Sequence, residues 1–544
     1  MKRQITALVA ATLTLAAMAE GYQVNTFSAK QEGMGHAGVA MKLGAESTIF
    51  NPGALAFMDK TMEVSAAMSA IISTCYATHE GKEYVSSNKT ATPMNVSAGF
   101  KIYDDLYAGL SIYTPYGSSI NWGKSWPGAI LNQSVDLKIF TVQPTISYRV
   151  LPNLSIGAGL MITWGNVNLN KALLTSNSLN SLLDLQYQGA KLEYDIAKAK
   201  QMLGGPDPGE APTEPQYKYG QVPPASVNLT GDSQLAVGFN VGVLWDINEK
   251  WNVGLSYRTK TEMKVKAGNA SVEYADEMAR QLLGTKLDNL NYTNFSAMMP
   301  CPYILTGGVS YKPIPKLELA FDLQYNGWKT YKQLDIEFAD LSAFDQHIEK
   351  NYHNAFTYHL GAQYALTDRM DLRAGLMIDS SPCDKDYYNP ETPAMTKIEP
   401  SVGFSFRPIK GLSIDVAFMY VHGCGVDGRT GTYSNFLADT YNNSLATYNA
   451  GVTQFNQMLQ SYGLPAYQGA DLKAMNKEGK FTADYKIHAF IPAVGISYSI
   501  LLLIRPIRYA KSPASAGLFC FIALGRNLTI RIIRIKFIRF MRII

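Results

Sequence analysis

The sequence predicts an all-β protein, a 14-stranded antiparallel transmembrane β-barrel with an N-terminal hatch, or plug, inside its lumen. Three observations predict this fold. Short runs of alternating apolar and polar residues recur along the chain, the connections between them alternate between short and long, and a Gly-rich segment precedes the first run. With 33 Tyr and only 17% charged residues among 544, the composition is typical of many short strands rather than helical bundles.

Six β-hairpins can be recognised, each with an alternating strand, a short turn rich in Asp, Asn, Pro or Gly, and a second alternating strand. Their sequences are IYDDLYAGLSI, YRVLPNLSIGAGL, LWDINEKWNVGLSY, YKPIPKLELAFDL, YALTDRMDLRAGL and FRPIKGLSIDVAF. In total, strands are predicted near residues 61–73, 93–104, 106–116, 135–150, 153–168, 232–246, 250–266, 302–313, 316–331, 355–366, 369–380, 397–408, 412–424 and 485–500. An even number of strands returns both ends of the chain to one side, as closure of a single-chain barrel requires.

The connections from one hairpin to the next are long, and roughly cover residues 74–92, 117–134, 169–231, 267–300, 332–354, 381–396 and 425–484. Tight turns on one side and extended loops on the other are typical of bacterial outer-membrane barrels. Within strands, Ile414, Val416 and Phe418 share one face and Asp415 lies on the other. A soluble sandwich could produce this alternation too, but it rarely needs fourteen strands with such unequal connections.

The first nineteen residues have the three parts of a secretory signal peptide. Lys2 and Arg3 form the positive region, residues 5–16 the apolar core, and residues 17–19 an A-x-A cleavage site. A buried N-terminal helix is the alternative interpretation. We expect cleavage near Ala19 and insertion of the mature chain into the cell outer membrane.

The segment 501–544 differs in composition from the rest, with nine basic residues and no acidic one. Without these and the two basic residues of the signal, the formal net charge changes from +4 to −7, so no nucleic-acid partner is indicated. The segment is either a basic amphipathic tail at a membrane surface or out-of-frame translation. We favour the second interpretation. The preceding strand ends on Ile500, where barrels of this kind commonly end on an aromatic residue that the barrel assembly machinery reads.

Four cysteines lie between the signal and this tail, at Cys75, Cys301, Cys383 and Cys424. Disulfides can form in an exported protein, and the sequence leaves their three pairings open. Because there is no CxxC motif, we expect neither a metal nor a redox site, and no cofactor.

Residues 20–60 contain no clear strand pair and are rich in glycine. A fourteen-stranded barrel is wider than one that its own side chains can fill, so its lumen would be an open channel without a plug. We therefore predict that residues 20–60 form a plug and residues 61–500 the barrel.

Several of these segments resemble one known family. GYQVNTFSAKQEGMGHAGVAM and STIFNPGAL are similar to the N-terminal hatch of the outer-membrane transporters of long-chain fatty acids and hydrocarbons, the FadL/TodX type. PYGSSINWGKSWPGA and VQPTISYRVLPNLSIGAGL resemble that family's third to fifth strands. The resemblance implies passive uptake of hydrophobic compounds: capture in a groove among the outer loops, transfer to a lumen pocket near the hatch, and exit sideways at a kink in the third strand.

The resemblance also implies ligand-binding residues. Tyr22 matches the aromatic position near the mature N-terminus, and Asn51-Pro52-Gly53 matches the family's NPA motif with Gly in place of Ala. Pro115-Tyr116-Gly117 matches the turn at the outer end of the third strand, although the position of the lateral opening stays open. The complete predicted hatch pocket is Tyr22, Asn25, Phe27, Phe50, Asn51, Pro52 and Gly53.

Two further groups of residues are weighed as ligand contacts. The long connection 169–231 contains the amphipathic stretch LLTSNSLNSLLDLQYQGAKLEYDIAKAKQML. Its Leu182, Leu183, Leu185 and Leu192 lie either in an outer groove wall or in packing against the barrel rim. A carboxylate-bearing ligand would need a cation in the lumen, and the inward-facing candidates are Arg149, Arg258, Arg373 and Arg407. The alternative for each Arg is a structural ion pair with a lumen carboxylate such as Glu318, Asp322, Asp371, Glu399 or Asp415.

Other functions fit the sequence less well. An enzyme is not expected, because there is no G-x-S-x-G motif and the seven His are scattered. An adhesin or receptor barrel would use the long loop at 425–484, and a plain porin would suit polar solutes, but neither explains the plug. We expect a monomer whose partners are a hydrophobic small molecule, outer-membrane lipid and the barrel assembly machinery.

Overall fold

The computed structural model describes residues 21–215, 219–392 and 394–500, so the predicted signal peptide and basic tail lie outside the described residues. All its strands belong to one sheet. In chain order they are β1 (Met62–Ser69), β2 (Ile72–His79), β3 (Lys82–Val85), β4 (Met94–Lys101), β5 (Leu106–Asn121), β6 (Ser134–Leu151), β7 (Leu154–Ala172), β8 (Ala225–Asp232), β9 (Ala236–Asn248), β10 (Trp251–Arg258), β11 (Thr261–Tyr274), β12 (Asn294–Cys301), β13 (Ile304–Ile314), β14 (Leu317–Asn326), β15 (Gln333–Phe338), β16 (Gln346–Glu349), β17 (Ala355–Thr367), β18 (Met370–Asp379), β19 (Lys397–Phe406), β20 (Leu412–Gly423), β21 (Val426–Ser434) and β22 (Glu478–Ile500).

Fourteen of these strands close into an antiparallel barrel, as predicted. Their order around the wall is β1, β4, β5, β6, β7, β9, β10, β13, β14, β17, β18, β19, β20 and β22. The ring closes where β22 pairs with β1, from Met62 opposite Ile500 to Ser69 opposite Ala493. Closure leaves no free sheet edge in this part of the wall, which is what a membrane-spanning sheet requires.

The other eight strands extend the wall on the side of the long connections, and this extension was not predicted. The clearest difference lies in the predicted strand 250–266, which the structure divides. Its first part, β10, pairs with β13 in the barrel, whereas β11 pairs with β8 and β12 in the extension. The predicted strand 316–331 ends earlier, at Asn326, because a short 3-10 helix, Trp328–Thr330, follows.

Helices occur in the hatch and in the long connections. The hatch contains α1 (Ala29–Glu32) and α2 (Ser47–Phe50), with 3-10 turns at Gly44–Glu46 and Pro52–Phe57; the connections contain α3 (Ser176–Met202), α4 (Glu277–Leu287) and α5 (Ala438–Ser461). None of the helices in the described part of the chain has both the length and the apolar character that a membrane span needs.

The two faces of the wall are sorted as the alternation predicts. Ile414, Val416 and Phe418 are 42–43% exposed on the outside, while Asp415 between them is 2% exposed. On β6 and β7 the outward face changes character at the ring pair of Phe140 and Trp164, whose centroids are 6.1 Å apart. Beyond this pair the outward side chains are polar: Asp136, Lys138, Asn166, Asn168 and Asn170. The aromatic pair therefore marks the outer edge of the lipid-facing band.

Residues 21–58 lie against the inward faces of the strands, and glycines make this approach close. A Cβ atom on Gly157 of β7 would lie 2.4 Å from the carbonyl oxygen of Pro52. One on Gly242 of β9 would lie 2.1 Å from Oδ1 of Asn51. The same close approach explains why Gly53 stands where the NPA motif has Ala. A Cβ atom on Gly53 would lie 2.8 Å from the carbonyl oxygen of Gly242.

The four cysteines between residues 21 and 500 are free thiols, and three of them are buried. The structure therefore contains none of the three disulfide pairings that the sequence left open. The fold is held by strand pairing and packing instead.

A charge on the lipid face should destabilise the barrel. We expect Phe321→Arg, near the middle of β14, to lower the free energy of unfolding in lipid vesicles by about 2 to 4 kcal/mol. Tyr103→Arg is the control, since Tyr103 is 73% exposed in a short turn. Its effect should stay below about 1 kcal/mol. Equal stability of the two variants in a denaturant titration would contradict the assignment of the outer face.

Candidate ligand-binding site

Three neighbouring cavities lie inside the wall. The outer cavity, of about 60 Å³, is in the extension and is lined mainly by apolar side chains, among them Val135, Leu169, Met263, Phe295, Met299 and Ile336. It is the kind of apolar pocket that suits a hydrophobic ligand.

The central cavity is the largest, at about 420 Å³. The start of the described chain, residues 21–26, forms one side of it. Its far wall is a buried apolar cluster from β18, β20 and β22, made of Met377, Met419, Val421, Ala489 and Ile491.

The inner pocket, of about 50 Å³, lies between the hatch and the wall. Phe27, Ile49 and Phe50 of the hatch face Arg258 of β10 across it. His36 also lines the pocket, and neither of its ring nitrogens has a hydrogen-bond partner. Burial, with a smaller contribution from His359, lowers the pKa of His36 to about 3, so its imidazole is neutral near pH 7.

The three cavities adjoin one another. Ser118, Leu137 and Thr392 line both the outer and the central cavity. Gln23 and Asn25 line both the central cavity and the inner pocket. A molecule could therefore pass between cavities by the movement of a few side chains.

Tyr22 lies in a cluster of buried aromatic rings beside the central cavity. Its ring centroid is 5.0 Å from that of Trp328, 5.9 Å from that of Tyr116 and 6.0 Å from that of Tyr331. Its hydroxyl donates to the carbonyl oxygen of Pro300. Aromatic pairs at such spacings are stabilising, so Tyr22 holds the start of the hatch against the extension.

The wall itself is irregular at β5, the third strand of the barrel. Its pairing with β4 ends at Tyr113, and one extra residue is inserted relative to β6 between Tyr113 and Tyr116. Beyond Tyr113, the hatch takes the place of β4: the amide of Val24 donates to the Pro115 carbonyl at 2.9 Å, and that of Gly117 to the Tyr22 carbonyl at 2.9 Å. A β-bulge of this kind bends a strand and interrupts its pairing.

The central cavity reaches the lipid face at this interruption. Besides its lumen-facing residues, it is lined by the outward-facing Phe140 and Met94, by the outward pair Asp136 and Lys138, and by the adjacent segment 89–93. We call this place the mouth. It lies beside the aromatic pair that marks the outer edge of the lipid band.

The four predicted lumen arginines have different surroundings. Arg407 makes two hydrogen bonds to Asp371, at 2.6 and 2.7 Å. Arg373 lies 3.6 Å from Asp371 and 3.8 Å from Asp415. These two arginines thus belong to an ion-pair network of the wall, as the structural alternative predicted.

Arg149 and Arg258 contact the hatch instead. Arg149 donates to the carbonyl of Ala56, and its guanidinium lies 5.1 Å from the ring centroid of Phe57. Arg258 donates to the Ile49 carbonyl at 3.2 Å, and its buried Nε has no partner. Within residues 21–215, 219–392 and 394–500, no carboxylate oxygen lies within 4.0 Å of Arg258.

The remaining hatch residues divide into pocket and anchor. Asn25, Phe27 and Phe50 line the inner pocket, whereas Asn51 fixes the hatch. The Asn51 amide donates to the carbonyls of Val39 at 2.7 Å and Val243 at 2.9 Å, and its Oδ1 accepts from the Gly53 amide at 3.0 Å. The NPG motif is therefore brought to the wall of β9, away from the three cavities.

The predicted groove leucines lie on α3. Leu185 and Leu192 are buried against α5, in a cluster with Tyr441, Leu445, Tyr448, Phe455 and Leu459. Leu182 and Leu183 are half-buried against the large core of the extension. The contacts of this part of the chain are thus packing contacts, and the role of these leucines in ligand capture stays a prediction.

Sequence reasoning missed several residues of the site. His36 follows Gly35 in a backbone with positive φ at both positions, a conformation unusual for His. Trp328 and Tyr331 were assigned to a strand, although Gly327 before them indicated a break.

A closed fourteen-stranded barrel with an apolar outer face, a filled lumen and a cavity that reaches the lipid defines an outer-membrane transport protein. Residues 9–450 match the sequence profile of the family described as outer membrane protein transport protein (OMPP1/FadL/TodX). The chain therefore belongs to the OMPP1/FadL/TodX family, and its place is the outer membrane.

Individual proteins that are similar to this chain support the family assignment. The long-chain fatty acid transport protein of Salmonella typhi is 22% identical over 437 residues, 78% of this chain and 93% of that protein. Outer membrane protein P1 of Haemophilus influenzae is 23% identical over 59% of this chain, and the match covers 64% of that protein, just under two thirds. The crystal structure of a Pseudomonas aeruginosa FadL homologue has the same fold, with a TM-score of 0.63, 17% identity, and coverage of 88% of this chain and 100% of that one.

The attachment of the hatch to the wall can be tested at Asp322. Its Oδ2 accepts the amides of Gly38 at 2.6 Å and Val39 at 2.9 Å, in a fully buried position. We expect Asp322→Ala to lower the free energy of unfolding by at least about 1.5 kcal/mol, the scale of one hydrogen bond to a charged group. Single-channel conductance in planar bilayers should rise as the hatch loosens.

Asp246→Ala is the matched control for Asp322→Ala. Asp246 bonds to Lys42 of the hatch at 2.7 Å, but both side chains are partly exposed. Loss of this ion pair should lower the free energy of unfolding by less than about 1 kcal/mol and should leave the single-channel conductance unchanged. A larger effect of Asp246→Ala than of Asp322→Ala would contradict the anchor.

Proposed function

We propose that this protein takes up hydrophobic molecules passively at the outer side of the outer membrane and releases them sideways into the lipid. The proposed substrates are long-chain fatty acids and, as a related class of compounds, hydrocarbons. The observation that carries the proposal is the mouth, where one cavity is lined by lumen-facing and lipid-facing residues together.

The path suits hydrophobic cargo. The outer cavity is lined mainly by apolar side chains, and the far wall of the central cavity is an apolar cluster. The free energy of an apolar molecule falls when it leaves water and contacts such surfaces. Lateral release spares them a return to water, because the mouth lies at the edge of the lipid band.

We propose that Arg258 binds the carboxylate group of a fatty acid. It is the predicted lumen arginine that combines a buried unpartnered Nε with a place in the inner pocket. A buried guanidinium favours an anionic partner, and Arg matches carboxylate geometry well. The chain of cavities would then take a fatty acid past Tyr22 and Asn25 to Phe27 and Phe50, with its carboxylate at Arg258.

Residues 20–60 act in this proposal as the plug, separate from the barrel at 61–500. Their buried contacts with inward glycines and with Asp322 support it. A plain porin would need an open water path, and a receptor barrel would need no cavity that opens to lipid. Neither alternative is supported by a specific observation.

The remaining expectations belong to the proposal as well. We propose that the protein is not an enzyme, uses no cofactor and acts as a monomer inserted by the barrel assembly machinery. An initial capture site at Leu182, Leu183 and Leu185 remains part of the proposal, although it would require these leucines to exchange their packing contacts on α3 for contacts with the ligand.

The lateral exit can be tested by removing the bulge. Deletion of Pro115 restores equal residue counts on β5 and β6, so that the strands can pair without interruption. We expect uptake of labelled oleate, in cells lacking the native gene, to fall to the level of cells without the protein. Deletion of the exposed turn residue Gly81 is the control, since nothing lies within 4 Å of the Cβ position there. Undiminished uptake by the Pro115 deletion would refute lateral exit at this mouth.

The role of Arg258 can be tested by Arg258→Gln. Loss of a charge-assisted hydrogen bond should weaken oleate uptake roughly tenfold, while uptake of an alkane should stay unchanged. Arg407→Gln is the matched control, because Arg407 already pairs with Asp371. If Arg407→Gln reduces oleate uptake and Arg258→Gln does not, the assignment of the carboxylate site is wrong.

A further inference from the structure

A carboxyl group that makes no hydrogen bond and no ion pair lies in the wall of the central cavity. Glu399 of β19 lines this cavity and is 5% exposed. Within residues 21–215, 219–392 and 394–500, no hydrogen bond or ion pair is made by its side chain. The carboxyl group of Glu399 therefore has unused hydrogen-bonding capacity in the cavity wall.

Carboxyl groups outnumber cationic groups around Glu399. Lys397 lines the cavity two residues from Glu399. Its ammonium group lies 3.4 Å from the carboxylate of Asp379. Glu32 of the hatch interacts electrostatically with Glu399 from the lumen side. Its Oε2 accepts from Ser69 at 2.7 Å, and its buried Oε1 has no hydrogen-bond partner. The cavity wall thus contains the carboxyl groups of Glu399 and Asp379, with that of Glu32 nearby.

An apolar surface lines the same cavity as these carboxyl groups. Met377 of β18 and Met419 of β20 line the same cavity, together with Val421, Ala489 and Ile491. The methionines are flexible and polarizable, so they adapt to aliphatic chains of different shape. The cavity is therefore amphipathic, with both carboxyl groups and an apolar surface in its wall.

Filling this cavity displaces water from Glu399. A hydrocarbon would leave the carboxylate buried without a partner, which is costly. A fatty acid with its head at Glu399 would bring a second carboxylate to the first, and like charges at close range cannot both remain ionised without penalty. A ligand with a hydroxyl or ammonium head would instead supply the missing donor.

We propose that the central cavity is a binding site for hydrophobic molecules with a hydrogen-bond-donating head, an aliphatic alcohol or amine. The head lies against Glu399, and the tail lies along the wall formed by Met377, Met419 and Ile491. This inference rests on the proposed function and adds a substrate class to it, because the inner pocket with Arg258 serves the opposite head-group chemistry. The two sites divide amphiphiles by charge.

The test compares three probes of equal chain length: dodecylamine, dodecanol and dodecanoate. Binding of each radiolabelled probe to the purified full chain in detergent is measured by equilibrium dialysis, with empty micelles subtracted. We expect Glu399→Gln to weaken dodecylamine roughly tenfold, since charge-assisted hydrogen bonds are about twice as strong as neutral ones. Dodecanol binding should weaken less than dodecylamine binding in Glu399→Gln, which keeps an acceptor oxygen, and should weaken further in Glu399→Leu, which removes the acceptor.

Glu318→Gln is the matched control, since Glu318 faces the lumen elsewhere and lies 3.6 Å from Lys312. It should leave all three probes unchanged. Met419→Trp should weaken dodecylamine and dodecanol alike by filling the apolar wall, and this variant keeps the inference testable if the Glu399 variants do not fold. Unchanged dodecylamine binding in both Glu399→Gln and Met419→Trp would overturn the inference.

The outcome also separates this inference from the proposed function. Binding and uptake of dodecanoate that depend on Arg258, with no effect of Glu399 on dodecylamine, would overturn the second site alone. If no probe binds and none is taken up by cells, both are overturned.

Discussion

Every structural feature of this protein depends on one constraint: a backbone amide or carbonyl that faces lipid finds no partner there and must bond within the wall. The sheet satisfies it by closing on itself, with β22 pairing to β1 over eight residues. At one place the barrel strands alone do not satisfy it. Above Tyr113, β5 loses β4 as a neighbour, and the hatch supplies the hydrogen bonds at Pro115 and Gly117. The part of the wall where strand pairing is interrupted is thus the part that the hatch completes.

A barrel of this width also has to fill its lumen. The hatch does so by close backbone approach to inward glycines and by hydrogen bonds to Asp322 and Asn51 rather than by a large apolar core. Several inward charges are paired, as in Arg407 with Asp371, and others bond to the hatch, as in Asp322. Against this background the unpaired groups are informative. Arg258 and Glu399 both face cavities, and they carry opposite charge.

The cavities give these two charges a common route. The central cavity adjoins the outer cavity at Ser118 and Leu137, and adjoins the inner pocket at Gln23 and Asn25. On the proposed route, a molecule entering from outside meets an apolar surface first and a choice of head-group partner afterwards. Selection by head group, followed by release of the tail into lipid at the mouth, would let one passive path accept several classes of amphiphile.

The sequence by itself determined the class of fold, the number of barrel strands and the orientation of their faces, because strand periodicity and turn residues are local properties. It also indicated Tyr22, Asn25 and Phe27 as pocket residues through family resemblance. Only the tertiary structure decided which two of the four inward arginines pair with a carboxylate, that α3 packs on α5, and that β11 leaves the barrel. These outcomes depend on distances between residues far apart in the chain, such as Arg258 and Ile49. Alternation assigns a side chain to a face, but the partner that it meets there is set by the closure of the ring and by the course of the hatch inside it.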